Sequence, residues 1–61
     1  MEKRLITVKE LAIYISSSEG SIYQMIFRRE IPGNAIIKIG RAVRFDIEEI
    51  DEWLEENRIK E

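Results

Sequence analysis

The stretch KIGRAVRFDIEEIDEWL, from Lys38 to Leu54, leaves a chain of this kind few ways to fold. Ile36 to Ile39 and Ala42 to Phe45 are runs rich in β-branched and apolar residues, each interrupted by one cation (Lys38, Arg44), on either side of Gly40-Arg41, so they read as two short strands joined by a tight turn. Asp46 then opens a helix, with Glu49 at the third helical position as a capping signal. Phe45 and Ile50 have the spacing of a hydrophobic staple across that start. Ile47, Ile50, Trp53 and Leu54 form one apolar stripe, which predicts a helix over about 47–57. The acids Asp46, Glu48 and Glu49 in the first turn suit the helix dipole.

Two registers are open to the hairpin. Gly in the first loop position suits a two-residue type II′ turn of Gly40-Arg41, with Lys38 opposite Val43 and Ile36 opposite Phe45. A three-residue loop from Gly40 to Ala42 sets Ile39 opposite Val43 and Ile37 opposite Phe45 instead. The second register gathers four apolar residues on one face and puts Lys38 with Arg44 on the other. A slip of one residue flips every side chain, and burial ordinarily decides, so the three-residue loop, or an equivalent bulge, is the expected form.

Upstream, Thr7 and Glu10 have capping-box spacing, with Ile6 and Leu11 placed as the staple. Val8, Leu11, Ala12 and Ile15 follow at helical intervals and predict a first helix at about 8–15. Ser16-Ser17-Ser18 interrupts it. Ser18 is the expected N-cap of a second helix that runs to Arg28 or Arg29, with Ile22, Met25, Ile26 and Phe27 on its apolar side. Pro32 pushes Ile31 out of helical geometry, and Gly33-Asn34 completes a turn. Two short helices with a three-residue break have helix-turn-helix spacing. The ends, about 1–4 and 58–61, are expected to fray, which leaves an ordered core of about 5–57 in one domain spanning 1–61.

With 61 residues, one small core must take nearly every apolar side chain. The chain has no Cys and no His, which rules out a disulfide framework, a Cys/His zinc site and a nucleophile paired with histidine. The carboxylates of the third helix are numerous but adjacent, and nothing sets a pair across a cleft as a two-carboxylate hydrolase needs. No enzyme, no cofactor and no metal site is therefore expected. There is no apolar run long enough to span a bilayer and no secretory signal core, so a cytoplasmic protein is expected. Net charge is −2. Yet residues 1–45 carry eight Lys/Arg against four Asp/Glu, and residues 46–61 carry two against eight. A basic face and a solvated acidic helix follow from that asymmetry.

The order LITVKELAIYI, SSSEGSIYQMI, EIP, KIGRAVRF and DIEEIDEWL, over roughly residues 5–54, resembles the excisionase-type, MerR-like winged helix-turn-helix domain. KIG-R-x-V-R-F followed by an acidic helix ending in Trp-Leu is the most specific part. The resemblance implies a mainly α fold with a small β-hairpin, in the order α-α-β-β-α. It also implies that the second helix enters the major groove while the wing rests on the adjacent minor groove or backbone. Members serve as excisionases that bend DNA for an integrase, or as small prophage regulators. Larger relatives carry an effector or dimerisation segment after the third helix, and no small-molecule effector domain is expected here. Members often carry basic residues where this chain has Glu19, Gly20 and Gln24, and a polar or basic residue where it has Phe27.

The candidate DNA-binding residues are Ser21, Tyr23, Gln24, Arg28, Lys38, Arg41 and Arg44. Gln24 offers bidentate pairing to adenine, and Ser21 and Tyr23 offer phosphate contacts near a helix N-terminus that itself favours anions. Arg28, with Arg29 beside it, serves either phosphate or the C-terminal helix dipole. Lys38, Arg41 and Arg44 on the wing are the strongest candidates, with Arg41 at the tip reaching for a minor groove. Their plain structural alternative is a charged strand edge that resists aggregation. Lys9 is a further phosphate candidate. Trp53 is expected in the core, and Phe27 is expected to fill it too, its alternative being an exposed ring near the helix end that meets a protein partner.

The function expected is sequence-specific double-stranded DNA binding by an excisionase or a prophage or mobile-element regulator, with an integrase or further copies of the chain as partners. The alternative is a protein-interaction module on the same fold. It is motivated by Glu19, Gly20 and Phe27 on the DNA face and by the acids of the third helix.

Overall fold

The computed structural model describes residues 4–59. Its elements are β1 (Leu5–Ile6), α1 (Val8–Tyr14), α2 (Glu19–Phe27), a 3₁₀ turn (Gly33–Ala35), β2 (Ile36–Ile39), β3 (Ala42–Asp46) and α3 (Ile47–Glu56). This is a winged helix-turn-helix: two helices, a hairpin and a third helix, with a short leading strand added to the hairpin.

The helix starts follow their capping residues. The Thr7 hydroxyl accepts from the Glu10 N–H at 3.1 Å, and the Glu10 carboxylate accepts from the Thr7 N–H at 2.9 Å, a complete capping box. The Ser18 hydroxyl accepts from the Ser21 N–H at 3.1 Å. At α3 the Asp46 carboxylate accepts from the Glu48 N–H at 3.1 Å, while Glu49 turns its carboxylate to the Asn34 amide, 2.6 Å away. Ser16 takes φ 56° as the chain leaves α1, and Arg29 takes φ 60° just beyond α2. Each is a left-handed stop that ends its helix.

One core lies between these helices and the inner face of the sheet. It holds Ile6, Val8, Leu11, Ala12, Ile22, Ile31, Ala35, Phe45 and Ile50, with Ile36, Val43, Ile47 and Trp53 packed against it. Both staples close inside it, since Ile6, Leu11, Phe45 and Ile50 are all buried. Leu54 lies only at the margin of the stripe, 37% exposed.

The hairpin register is the two-residue one, not the three-residue loop favoured by burial. Ile36 stands opposite Phe45, Ile37 opposite Arg44, Lys38 opposite Val43 and Ile39 opposite Ala42. Gly40 has φ +61° while Arg41 does not have positive φ, as a type II′ turn requires. The physical reason is that the tip overhangs the core. Ile39 is 56% exposed and Lys38 is exposed, so no burial is gained there by moving Ile39 inward. The turn and the anchoring of Phe45 set the pairing instead. Lys38 and Arg44 therefore lie on opposite faces of the ribbon, not on one.

Two further expectations are corrected. Phe27 is not core: it is 88% exposed. Arg4 is not frayed, because β1 pairs with β3 (Leu5 with Asp46, Ile6 with Phe45) and the Arg4 carbonyl accepts from the Ile47 N–H at 2.9 Å. Arg58 likewise holds Glu55. Residues 1–3 and 60–61, also expected to fray, lie outside the described residues. The sheet order is β1-β3-β2, which makes β3 the central strand.

Candidate nucleic-acid interface

The N-terminal turns of α1 and α2 and the wing enclose a shallow groove. Lys9, Glu19, Tyr23, Arg41, Val43 and Arg44 line it, with Thr7 and Val8 at its floor end. The capping box positions Lys9, the Ser18 cap positions the first turns of α2, and the Gly40 turn delivers Arg41. The turn between α1 and α2 brings Glu19 and Tyr23, one helical turn apart, to the same side of α2.

Of the seven residues singled out from the sequence, three line this groove: Tyr23, Arg41 and Arg44. Tyr23 is 55% exposed. Arg44 is half-buried, and one guanidinium nitrogen donates to the Val43 carbonyl at 2.9 Å, which steadies it on the ribbon. Gln24 is exposed on the crest of α2, the side turned away from the buried Ile22. Ser21 is half-buried, and its hydroxyl accepts from the Ser18 hydroxyl at 3.0 Å, so it belongs first to the cap. Arg28 is the C-cap of α2, and its backbone N–H donates to the Gln24 carbonyl. Lys38 is exposed on the opposite face of the ribbon from Arg44, outside the groove. Lys9, ranked below the wing residues from sequence, shares the groove with Arg41 because α1 starts beside β3. Pattern reading had no signal for that adjacency.

Among the described residues, no ion pair or side-chain hydrogen bond engages Lys9, Arg28, Arg29, Lys38 or Arg41. These cations are solvated and free to meet an anionic partner. Among the described residues, Glu19 is the one carboxylate lining the groove.

At and along α3 some acids are held by partners within the fold and others are not. Asp46, 5% exposed, receives two hydrogen bonds from the Arg4 guanidinium, at 3.0 and 3.2 Å. Burial works against its charged form, but Arg4 and the N–H groups of Glu48 and Glu49 outweigh that cost and hold the carboxyl below its ordinary value. Tyr14 donates to Asp51 at 2.5 Å and ties the end of α1 to α3, and that bond raises the Tyr14 phenol above its ordinary value. Arg58 holds Glu55 in a two-pronged pair at 2.7 and 3.1 Å, which lowers the carboxyl of Glu55. Glu48, Asp51, Glu52, Glu55 and Glu56 otherwise form a continuous acidic stripe along α3.

Among the described residues there is no cluster of three or more metal-ligating side chains, and no helix is long and apolar enough to cross a membrane.

A family model described as a helix-turn-helix domain matches residues 5–58. No curated protein and no solved structure gives a significant match.

Proposed function

The chain belongs to the excisionase-like helix-turn-helix domain family of small DNA-binding proteins, and on that premise we propose that it binds double-stranded DNA sequence-specifically, as an excisionase or a MerR-like regulator of a prophage or mobile element. The first turns of α2 enter the major groove with Tyr23 and Gln24 foremost. The wing lies on the neighbouring minor groove or backbone through Arg41 and Arg44. α3 buttresses both from behind through Ile50 and Trp53. A cytoplasmic site of action in a bacterium fits this role.

The observation that carries the reading is the shared groove, in which the wing arginines stand beside the outer side of α2. One rigid surface then presents a helix and a cationic ribbon to the same duplex. If about four cations meet phosphates, the log–log salt slope is roughly −3.6. A single copy binds modestly on that basis, so an adjacent copy or an integrase supplies the remaining affinity and specificity.

The test is a gel shift on random duplex at ~50 mM salt, where even nonspecific binding by such a surface is visible. Wild type is expected to shift, and the double variant Arg41→Ala, Arg44→Ala to shift much less. Equal retention of the double variant would remove the wing from the interface.

A second reading, a protein-interaction module on the same fold, is favoured by Glu19, whose carboxylate lines the groove and repels phosphate. A wild-type protein that fails to shift any duplex at high concentration would establish this reading over the first.

A further inference from the structure

We infer that Phe27 is a specificity residue that packs against the C5-methyl of thymine in the major groove, so that the crest of α2 selects A·T pairs. The inference rests on the DNA-binding reading above and concerns what that same surface reads.

Helix geometry places the residue. Ile22, Met25 and Ile26 take the inward side of α2. At 100° per residue, Gly20, Gln24 and Phe27 then fall on the opposite side, in one stripe two turns long. This is the crest that a groove-entering helix presents to base edges. Phe27 stands out from it 88% exposed, with Gln24 one turn before it and the free cation Arg28 beside it. Gln offers its amide to adenine N6 and N7, and an apolar side chain fits the thymine methyl, the one apolar group in the major-groove code. An amide and an aromatic ring on one stripe thus complement the two halves of an A·T-containing step.

Gly20 supports the same reading independently. A Cβ placed there would meet only the Ser18 hydroxyl oxygen, at 3.9 Å, an ordinary contact. The fold therefore has no need of glycine in this helix, where glycine costs stability relative to alanine. What glycine does provide is a bare stretch of helix on the crest, where another surface can come close. Phe27 at one end and nothing at the other let the helix enter the groove at its N-terminal end and seat the ring farther along.

A protein partner is the competing occupant of an exposed aromatic ring. Any protein docked on Phe27 would also cover Gln24 and Arg28, and so would displace DNA from the crest.

The test compares three duplexes with the full chain by fluorescence anisotropy at ~50 mM salt. One is alternating A·T, one is alternating A·U, identical except for the thymine methyls, and one is alternating G·C. Wild type is expected to bind A·T at least about fourfold tighter than A·U, the value of burying one methyl-sized group. Phe27→Ala is expected to bind both equally, and Phe27→Leu to keep part of the preference. Equal binding of A·T and A·U by wild type, or a preference that survives Phe27→Ala, would overturn the inference while leaving DNA binding intact. So would a Phe27→Ala variant that changes oligomeric state in sedimentation and keeps the methyl preference. Failure of wild type to bind any of the three would instead sink the DNA-binding reading itself. Circular dichroism shows whether each variant is folded, and Phe27 is too exposed for its replacement to unfold the chain.

Discussion

The start of α2 and the start of α3 are built by the same local rule and put to opposite uses. Each has a polar N-cap accepting from a first-turn N–H. At α3 the cap is Asp46, buried, doubly bonded by Arg4 and covered by β1. At α2 the cap is Ser18, exposed and neutral, beside a groove whose cations Lys9 and Arg41 have no partner among the described residues. One helix end has its charge balance completed within the fold, and the other is left for something outside it. Overall charge hides this: the chain is −2, yet the acids are drawn to the α3 side and the uncommitted cations to the other. At these two helix starts it is the partnering of the charged groups, and not their number, that differs.

The contrast breaks first, if it breaks, at Phe45. Phe45→Ala removes the ring that links β3 to the core beside the α3 start, at a cost of about 3–5 kcal/mol. For a domain this small that is most of its stability. Loss of the cooperative melt is the expected outcome, and a folded variant that merely loses DNA binding would make this side part of the interface.

The wing substitutions should behave in the opposite way. Arg41→Ala with Arg44→Ala is expected to leave the melting temperature nearly unchanged. It should lower duplex affinity by tenfold or more at low salt and flatten the log–log salt slope by roughly 1.8, about 0.9 per lost phosphate contact. A salt titration followed by anisotropy reads both quantities.

Gly20→Ala sharpens the difference within a single residue. It is expected to raise stability by about 0.5–1 kcal/mol, since alanine is the better helix former and has room. It should weaken DNA binding in the same protein. Gains in both melting temperature and affinity would mean that the crest does not approach the duplex closely.

Acid titration probes the committed end. The carboxyl of Asp46 is held below its ordinary 3.8 in the folded state, so its contribution is fully present above that value and is lost as pH falls through the lower folded value. Melting temperature should therefore fall below about pH 4 more steeply for wild type than for Asp46→Asn, which keeps a cap but cannot titrate. Parallel curves would show that Asp46 is not a major acid-sensitive group. The smallest effect belongs to Arg58→Ala. Its pair with Glu55 is exposed on both sides, and no resolvable change in melting temperature is expected.

Much of the scaffold was legible from residue order. Thr7 with Glu10, Ser18 and Asp46 mark the three helix starts because capping is a local interaction encoded within four residues. The apolar spacing of Val8 to Ile15 and of Ile47 to Trp53 marks what those helices bury. Pairing across the chain was less legible. β1 is two residues long, too short for alternation to show, so neither the third strand nor the Arg4–Asp46 pair was foreseen. The hairpin register went astray because burial was given weight at a tip that has none. Phe27 was placed inward because it continues an apolar run, although its angle on the helix sets it opposite Ile22. The candidate site was legible as a set of residue types and not as a surface. Tyr23, Arg41 and Arg44 do share the groove, but Lys9 is brought in only by the packing of α1 against β3, and Lys38, on the outer strand β2, does not line it.

The central position of β3 has a mechanical consequence. A two-stranded ribbon projecting into solvent flexes, and stiffening it on contact would subtract from binding. Here Leu5 and Ile6 pair with Asp46 and Phe45, so the ribbon is braced at its base, next to Arg44, before it projects. Extensions or fusions joined immediately ahead of Arg4 would pull on that brace, and their influence would surface some distance away, in how firmly the arginines of the ribbon are aimed.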